Sequence, residues 1–328
     1  NDNTLFWMAY YAYDLGILAK VATILGKPDE AAQFAKRQGE IKAAWNTIYL
    51  DPTTHKTVKS GVKTGFMGAP NEQQLAQKTD KGQVIDTQAS YAIPLALGVV
   101  NDANKPAVVR NLNESIERKN KDDGGVERPT FSLMTGFIGT ASITDALSEN
   151  GSSANAYQLV QQQQYPSWLY SVVNGATSIW ERLNSYTVEN GFGGNNSMNS
   201  FNHYSFGAVA AWMYNYSLGI QRHPDKAGFK EIILKPTPDP THKMTFAKGY
   251  YDSIYGRISS EWKWVGNNWS YTTTIPANTT ATLYLPANST SQITEKGKPI
   301  SQLKGVNQVN GQVSIPLGSG SYSFVISQ

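Results

Sequence analysis

The sequence predicts two domains of different class, a helical domain followed by an antiparallel β-sandwich. Apolar residues recur at helical spacing through the first two thirds of the 328-residue chain. After Ile220 the pattern changes to short alternating runs, separated by turn residues about every eight to twelve positions, which is typical of a sandwich. We therefore predict a helical domain over residues 1–220 and a sandwich over residues 221–328.

Seven segments have the apolar spacing of a helix. They are 4–26, 28–50, 86–100, 105–120, 134–151, 153–164 and 205–220. Gly26 and Pro28 end the first helix and begin the second. A polar loop is expected over about 51–83, and Asp86 is the expected N-cap of the third helix. The segment 205–220 is apolar nearly all round, so we expect it to be deeply buried.

The helices are expected to form hairpins whose longer connections carry aromatic residues and glycine. These connections are 129–136, 165–178 and 184–202. In a toroid of paired helices, such loops converge at one end and build a pocket.

The sandwich domain contains one specific turn signal. Gly266-Asn267-Asn268 stands between Trp264 and Trp269 and is a candidate hairpin turn. Trp262 and Trp264 are two residues apart, so their side chains share a face of the strand and are expected to pack rather than to bind a ligand.

The composition excludes several classes of function. A net charge of +3 with only 16% charged residues is too weak to favour nucleic acid or an anionic membrane as a partner. The chain has no cysteine, and its four histidines lack the spacing of a metal site, so we predict no metal. Phosphate-cradling, dinucleotide-binding and serine-hydrolase motifs do not occur either. Eight Trp, eighteen Tyr and eleven Phe, together with abundant amides and hydroxyls, suit a sugar-handling protein, although aromatic residues also fill cores.

One group of residues in the last third of the helical part is a candidate site. Glu181 follows small residues and a tryptophan in "GATSIWER", where shielding from water would raise its pKa towards that of a useful base. Arg182 could instead hold it ionised as a structural ion pair. His203 could donate hydrogen bonds to sugar hydroxyls or be a satisfied core residue. Trp168 and Trp180 could be stacking faces or core.

The motifs around this group resemble a known family. "YPSWLYSVVNGATSIWERLN" and "MNSFNHYSFGAVAAWMYNYSLGI" resemble the C-terminal part of bacterial α-L-rhamnosidases of glycoside hydrolase family 78. The helices before them and "GFKEIILKP" with "AKGYYDSIYGRISSEWKW" after them resemble the same family in order, over nearly the whole chain.

The resemblance implies an incomplete (α/α)6 toroid of helical hairpins followed by an antiparallel β-sandwich. It implies removal of terminal α-L-rhamnose from a rhamnoside with inversion and without a cofactor. Glu181 then corresponds to the general base and His203 to a histidine that contacts the rhamnose, while Trp168 and Trp180 lie in motif regions near the pocket.

The resemblance also implies a missing partner for Glu181. The family keeps its general acid in an upstream Asp- and Glu-rich segment, and Asp86, Glu127 and Glu189 do not stand in such a motif. Seven predicted helices also fall short of the twelve in a toroid. We therefore expect the chain to be the C-terminal portion of a longer enzyme, and either to pair with its N-terminal portion or to be prone to aggregation when alone.

Two other functions stay open. One is a related toroid glycosidase for another sugar, although the pocket loops hold aromatics and amides rather than the basic residues that an acidic sugar would favour. The other is a non-catalytic carbohydrate-binding or structural fragment. A cytoplasmic bacterial location is expected, with secretion as the alternative.

Overall fold

A computed structural model of the chain describes residues 2–62, 80–122, 124–193, 197–309 and 311–327. The chain divides into two compact units, residues 1–207 and residues 208–328. Part of the loop predicted over 51–83 lies outside the described residues. In the part that is described, Val58 forms an antiparallel bridge with Val84, which follows the loop.

The described helices of the first unit follow the predicted order. They are α1 Thr4–Ile24, α2 Pro28–Ile48, α3 Gln88–Ala96, α4 Lys105–Glu117, α5 Gly136–Glu149, α6 Ser153–Gln161 and α7 Trp168–Val173. A short hairpin of β1 Asn120–Lys121 and β2 Glu127–Arg128 follows α4. The first six helices confirm the prediction with slightly shorter ends, whereas α7 lies in a segment that was predicted as a loop.

The start of α3 differs from the prediction. Thr87 is the N-cap: its side chain accepts from the backbone N–H of Ser90, and the Ser90 hydroxyl accepts from that of Thr87. Asp86 has a left-handed backbone (φ 50°), and its carboxylate is held by three side-chain donors. These donors are Lys56, Tyr91 and Arg118. The N-cap prediction for Asp86 is wrong, because the carboxylate is committed to this cluster.

The first unit packs α1 against α2 and α3 against α5. Trp45 on α2 is fully buried and donates its indole N–H to the carbonyl of Leu5 on α1 at 3.0 Å. Helix α1 buries one apolar face, and other large apolar side chains remain exposed on its surface. Trp7, Ile17 and Val21 each keep 44–46% of their surface exposed.

The helix predicted over 205–220 consists of three short turns of different type. They are a 3₁₀ turn Ser205–Ala208, α8 Val209–Trp212 and a π-helical turn Met213–Ser217. Val209 and Trp212 are buried, but Met213 is 39% and Tyr214 41% exposed. The prediction of burial on all sides is therefore wrong, because the apolar composition of a segment does not determine which of its faces has a packing partner.

The second unit contains two sheets. Its strands are β3 Ile220–Arg222, β4 Glu231–Leu234, β5 Phe246–Ser253, β6 Gly256–Val265, β7 Asn268–Ile275, β8 Thr280–Pro286, β9 Ile293–Glu295, β10 Lys298–Pro299, β11 Asn307–Val309, β12 Gln312–Leu317 and β13 Gly320–Ile326. The strand orders are β10-β9-β13-β7-β6-β5 and β11-β12-β8-β4-β3. All described neighbours are antiparallel except β4 and β8, which run parallel.

Burial alternates along the strands, which gives each sheet one buried face, as predicted for a sandwich. The predicted hairpin turn is confirmed, because Trp264 pairs with Trp269 and Val265 with Asn268 around a two-residue loop. Trp262 is fully buried and donates to the carbonyl of Ser217 at 2.8 Å. These tryptophans are packing residues, as expected. Among the described helices, none has the length and apolarity needed to cross a bilayer.

Candidate active site

Glu181 lies in an irregular segment that is fixed by backbone hydrogen bonds. Its N–H donates to the carbonyl of Ser200, and the N–H of Ser200 donates back to Oε2 of Glu181, both at 2.8 Å. The N–H of His203 donates to the carbonyl of Ile179, also at 2.8 Å. The two segments therefore run side by side, and the Glu181 side chain is held with 8% of its residue surface exposed.

Glu181 lines a cavity of about 460 Å³ within the first unit. One part of the wall is apolar or aromatic: Leu133, Met134, Phe137, Tyr165, Leu183 and Phe206. The polar side chains that line it are Asp122, Glu181, Arg182 and Asn184. The loops predicted over 129–136, 165–178 and 184–202 all contribute to the wall, so their predicted convergence is confirmed.

Two tethers hold the apolar wall. The N–H of Leu133 donates to the carbonyl of Pro166 at 2.9 Å, which joins the loops before α5 and α7. Gln88, only 2% exposed, donates its amide to the carbonyl of Ser132 at 2.8 Å and accepts the N–H of Met134 at 2.9 Å. The Gln88 amide also donates to the carbonyl of Ser115 at 3.5 Å, and all three partners are backbone groups, so the wall is tied directly to the first turn of α3.

Asp122 is the other carboxylate at the cavity, and it is committed to a structural role. Its Oδ2 is 2.6 Å from Nη2 of Arg128, whose guanidinium lies 4.5 Å from the centre of the Tyr165 ring. Burial raises the pKa of Asp122, but the Arg128 hydrogen bond and the backbone N–H groups of Val126 and Gly124 outweigh it and hold the pKa below its usual range. Asp122 therefore stays ionised at neutral pH.

His203 lies beside the cavity and is stacked on two rings. The Phe137 ring centroid is 5.0 Å away with an interplanar angle of 19°, and that of Tyr204 is 5.3 Å away at 7°. Nδ1 of His203 accepts the N–H of Ser205 at 3.3 Å. A neutral imidazole that accepts at Nδ1 carries its proton on Nε2 and can donate there.

The two predicted tryptophans are nearly buried and stand behind the cavity residues. Trp168, 8% exposed, donates its indole N–H to the carbonyl of Phe206 at 2.8 Å. Trp180, 9% exposed, packs edge-on against Tyr186 and Phe201. Neither indole is among the residues that line the cavity.

Sequence reasoning missed several of the residues that form this site. Phe137 and Phe206 belong to apolar helical patterns and carry no signal that separates a cavity wall from a core. Gln88 did carry a usable signal, since an amide inside an otherwise apolar helix needs buried partners. In the described part of the chain, no three side chains of the metal-ligating types come together.

Two family models match the sequence. The bacterial alpha-L-rhamnosidase 6 hairpin glycosidase domain matches residues 1–217, and the bacterial alpha-L-rhamnosidase C-terminal domain matches residues 219–299.

Curated relatives and solved structures agree with these matches. An alpha-L-rhamnosidase of Streptomyces avermitilis is 30% identical over 97% of this chain, and one of Formosa agariphila is 28% identical over 98%. The chain spans 26% and 31% of the length of these relatives. The crystal structure of the Streptomyces avermitilis alpha-L-rhamnosidase complexed with L-rhamnose superposes with a TM-score of 0.76 at 29% identity, over 98% of this chain and 26% of that one. The chain therefore belongs to the bacterial alpha-L-rhamnosidase family, with the six-hairpin glycosidase and C-terminal domains in the order that the sequence predicts.

Proposed function

We propose that this chain supplies the general base of an inverting α-L-rhamnosidase and that Glu181 is that base. The observation that carries the proposal is a nearly buried carboxylate at the wall of a sugar-sized cavity, with Oε2 held by the Ser200 N–H. Among the described residues no donor to Oε1 is seen, so this oxygen keeps its acceptor sites for a water molecule. The family membership supports hydrolysis as the reaction, and the relatives' name supports α-L-rhamnosides as the substrates.

The proposed step uses Glu181 to deprotonate a water molecule as it attacks the anomeric carbon. The leaving oxygen needs a proton from a second carboxyl group about 6.5–9.5 Å from the base. Asp122 is unsuited to this role, since its ion pair with Arg128 lowers its pKa. The family resemblance implies an acid in an upstream segment, so we propose that the acid lies outside these 328 residues and that the activity belongs to the full-length protein that contains the chain.

The other predicted site residues receive different roles. His203 is proposed to donate its Nε2 hydrogen to a rhamnose hydroxyl, which its accepting Nδ1 supports. For Trp168 and Trp180, exposures of 8% and 9% favour support of the cavity wall from behind over direct stacking on the sugar. Contact between these tryptophans and substrate stays a prediction.

The domain boundary predicted at Ile220 is part of the proposal. Strand β3 begins at this residue, and the two family models meet between residues 217 and 219. The compact units divide earlier, between residues 207 and 208.

The test is Glu181→Gln in the full-length protein, assayed on p-nitrophenyl α-L-rhamnoside. Removal of a general base is expected to lower kcat about 10²- to 10⁴-fold. Glu189→Gln is the matched control, because it removes an exposed carboxylate from the same loop region and should leave kcat unchanged. A near-normal rate for Glu181→Gln would remove Glu181 from the mechanism. Proton NMR of the first sugar anomer released checks the stereochemistry, and an α-anomer as the first product would contradict inversion.

A further inference from the structure

Few contacts from the segment around His203 hold its imidazole ring in place. His203 lies between helices, and its backbone N–H donates to the carbonyl of Ile179. The described contacts to the ring itself are one 3.3 Å hydrogen bond at Nδ1 and two stacked rings. Tyr204 is 86% exposed and so is a weak support. The orientation of the imidazole therefore depends mainly on Phe137.

Phe137 is itself fixed by the first turn of α5. Gly136 before it has φ 61°, a left-handed conformation that turns the chain into the helix and favours glycine. One turn later, a Cβ on Gly139 would lie 3.0 Å from the Cβ of Ala89, so α5 approaches α3 closely. The ring of Phe137 also meets Phe206 edge-on at 5.6 Å and 69°. These contacts fix the backbone of Phe137, and the residue, 37% exposed, has Phe206 and His203 as its described ring partners.

The contacts form a continuous series from the interior to the sugar-binding residue. Trp168 donates to the carbonyl of Phe206, Phe206 packs against Phe137, and Phe137 stacks on His203. Phe137 and Phe206 also line the cavity that contains Glu181. Phe137 thus belongs both to the cavity wall and to the support of the imidazole.

We infer that Phe137 is a positioning residue that orients the His203 imidazole towards sugar bound beside Glu181. The inference rests on the proposed function. It assigns no proton transfer to Phe137; the ring acts only through its face against the imidazole. Its loss is expected to weaken sugar binding and to leave the chemical step nearly intact.

The test compares Phe137→Leu with Phe137→Tyr in the full-length protein. An aromatic pair changes an equilibrium constant by about 2- to 12-fold, so Phe137→Leu should raise KM and the Kd of L-rhamnose by that factor with kcat little changed. Phe137→Tyr keeps the flat ring and should restore both constants. Ile138→Ala, at a residue 60% exposed on the same helix, is the control and should behave as wild type.

A double-mutant cycle tests whether Phe137 acts through the imidazole of His203. If Phe137 acts by positioning His203, then Phe137→Leu adds no further effect to His203→Ala. An undiminished effect in that background would overturn the inference. So would an unchanged KM for Phe137→Leu, a fall in kcat alone, or a Phe137→Tyr variant as impaired as Phe137→Leu.

A third measurement needs no change at Phe137 and covers the case in which Phe137→Leu fails to fold. In a Tyr204→Ala variant, which removes the other ring stacked on the imidazole, the Phe137 ring at 5.0 Å should still shift the His203 imidazole protons upfield, with His203→Ala in the same background used to assign the resonance. Unshifted protons would overturn the inference. Because calorimetry with L-rhamnose does not depend on turnover, failure of Glu181 as a base is distinguishable from failure of Phe137 as a support.

Discussion

The Asp86 cluster predicts a measurable loss of stability when its central charge is removed. The carboxylate accepts hydrogen bonds from Lys56 at 2.9 Å, Arg118 at 2.9 Å and the Tyr91 hydroxyl at 2.6 Å. Its side chain is 15% exposed, whereas those of Lys56 and Arg118 are 34% and 39% exposed. Asp86→Asn is the appropriate change, because asparagine tolerates the left-handed backbone at φ 50° and keeps the side-chain shape.

The expected loss in the free energy of unfolding lies between two known limits. Breaking a buried pair costs about 3–5 kcal/mol, and breaking an exposed one costs about 0–1 kcal/mol. Both cations keep contact with water and remain hydrated without the carboxylate, so the upper limit does not apply. We expect Asp86→Asn to lower the free energy of unfolding by about 2–3 kcal/mol, roughly the worth of one hydrogen bond to a charged group.

The pH dependence gives a second, independent check. Burial raises the pKa of Asp86, but the hydrogen bonds from Tyr91, Lys56 and Arg118 outweigh it and lower the pKa below its usual value. A lowered folded-state pKa stabilises the protein above the unfolded pKa of about 3.9, and this stabilisation is lost as the pH falls through the folded pKa. The difference between wild type and Asp86→Asn should therefore be full at neutral pH and shrink in acid.

The assay is urea unfolding of the full-length protein, followed by the helical circular dichroism signal. Asp102→Asn is the control: Asp102 pairs with Lys105, but its side chain is 98% exposed, and its loss should change little. Equal stability of Asp86→Asn and wild type at neutral pH would refute the reasoning. A difference that persists unchanged in acid would refute its electrostatic part.

Two further predictions concern the same unit. Burial, followed by the charge of Glu149, raises the pKa of Asp145 to about 6, so its contribution to stability is present below about pH 4 and is lost as the pH rises through about 6. Asp145→Asn should therefore be more stable than wild type above pH 6 in urea unfolding, and a less stable variant there would contradict the pKa shift. Trp7, Ile17 and Val21 leave an apolar surface on α1, so the isolated 328-residue chain should self-associate in light scattering, and a monomer at micromolar concentration would contradict this.

Local sequence signals predicted the turns whose positions are marked by glycine, proline or asparagine. Gly26 and Pro28 mark the turn between α1 and α2, and Gly266-Asn267 marks the hairpin between β6 and β7. The segment 205–220 was harder, because its apolar residues do not reveal which face has a partner. Asp86 was harder for a related reason: its ion-pair partners are distant in sequence, and they outweighed its local preference for a cap.

The residues of the candidate site also differ in whether a local sequence pattern could predict them. Glu181 and His203 stand in a motif, so the resemblance picked them out before any geometry was known. The cavity wall joins residues from separate loops and helices, such as Leu133, Tyr165 and Phe206. No local pattern relates these three positions, because their proximity is created by the packing of α3 and α5 and by the bond between Leu133 and Pro166.

Three consecutive residues at the start of α3 connect the packing of the first unit to the candidate site. Asp86 collects two cations, Thr87 caps α3, and Gln88 ties the cavity loop through the backbone of Ser132 and Met134. A defect at Asp86 should therefore lower stability, and it should lower activity only through the population of folded protein or a loosened wall. Glu181→Gln should do the reverse, with catalysis lost and unfolding nearly unchanged. Measured side by side, the two variants separate the residues that hold the cavity from the residue that is proposed to act in it.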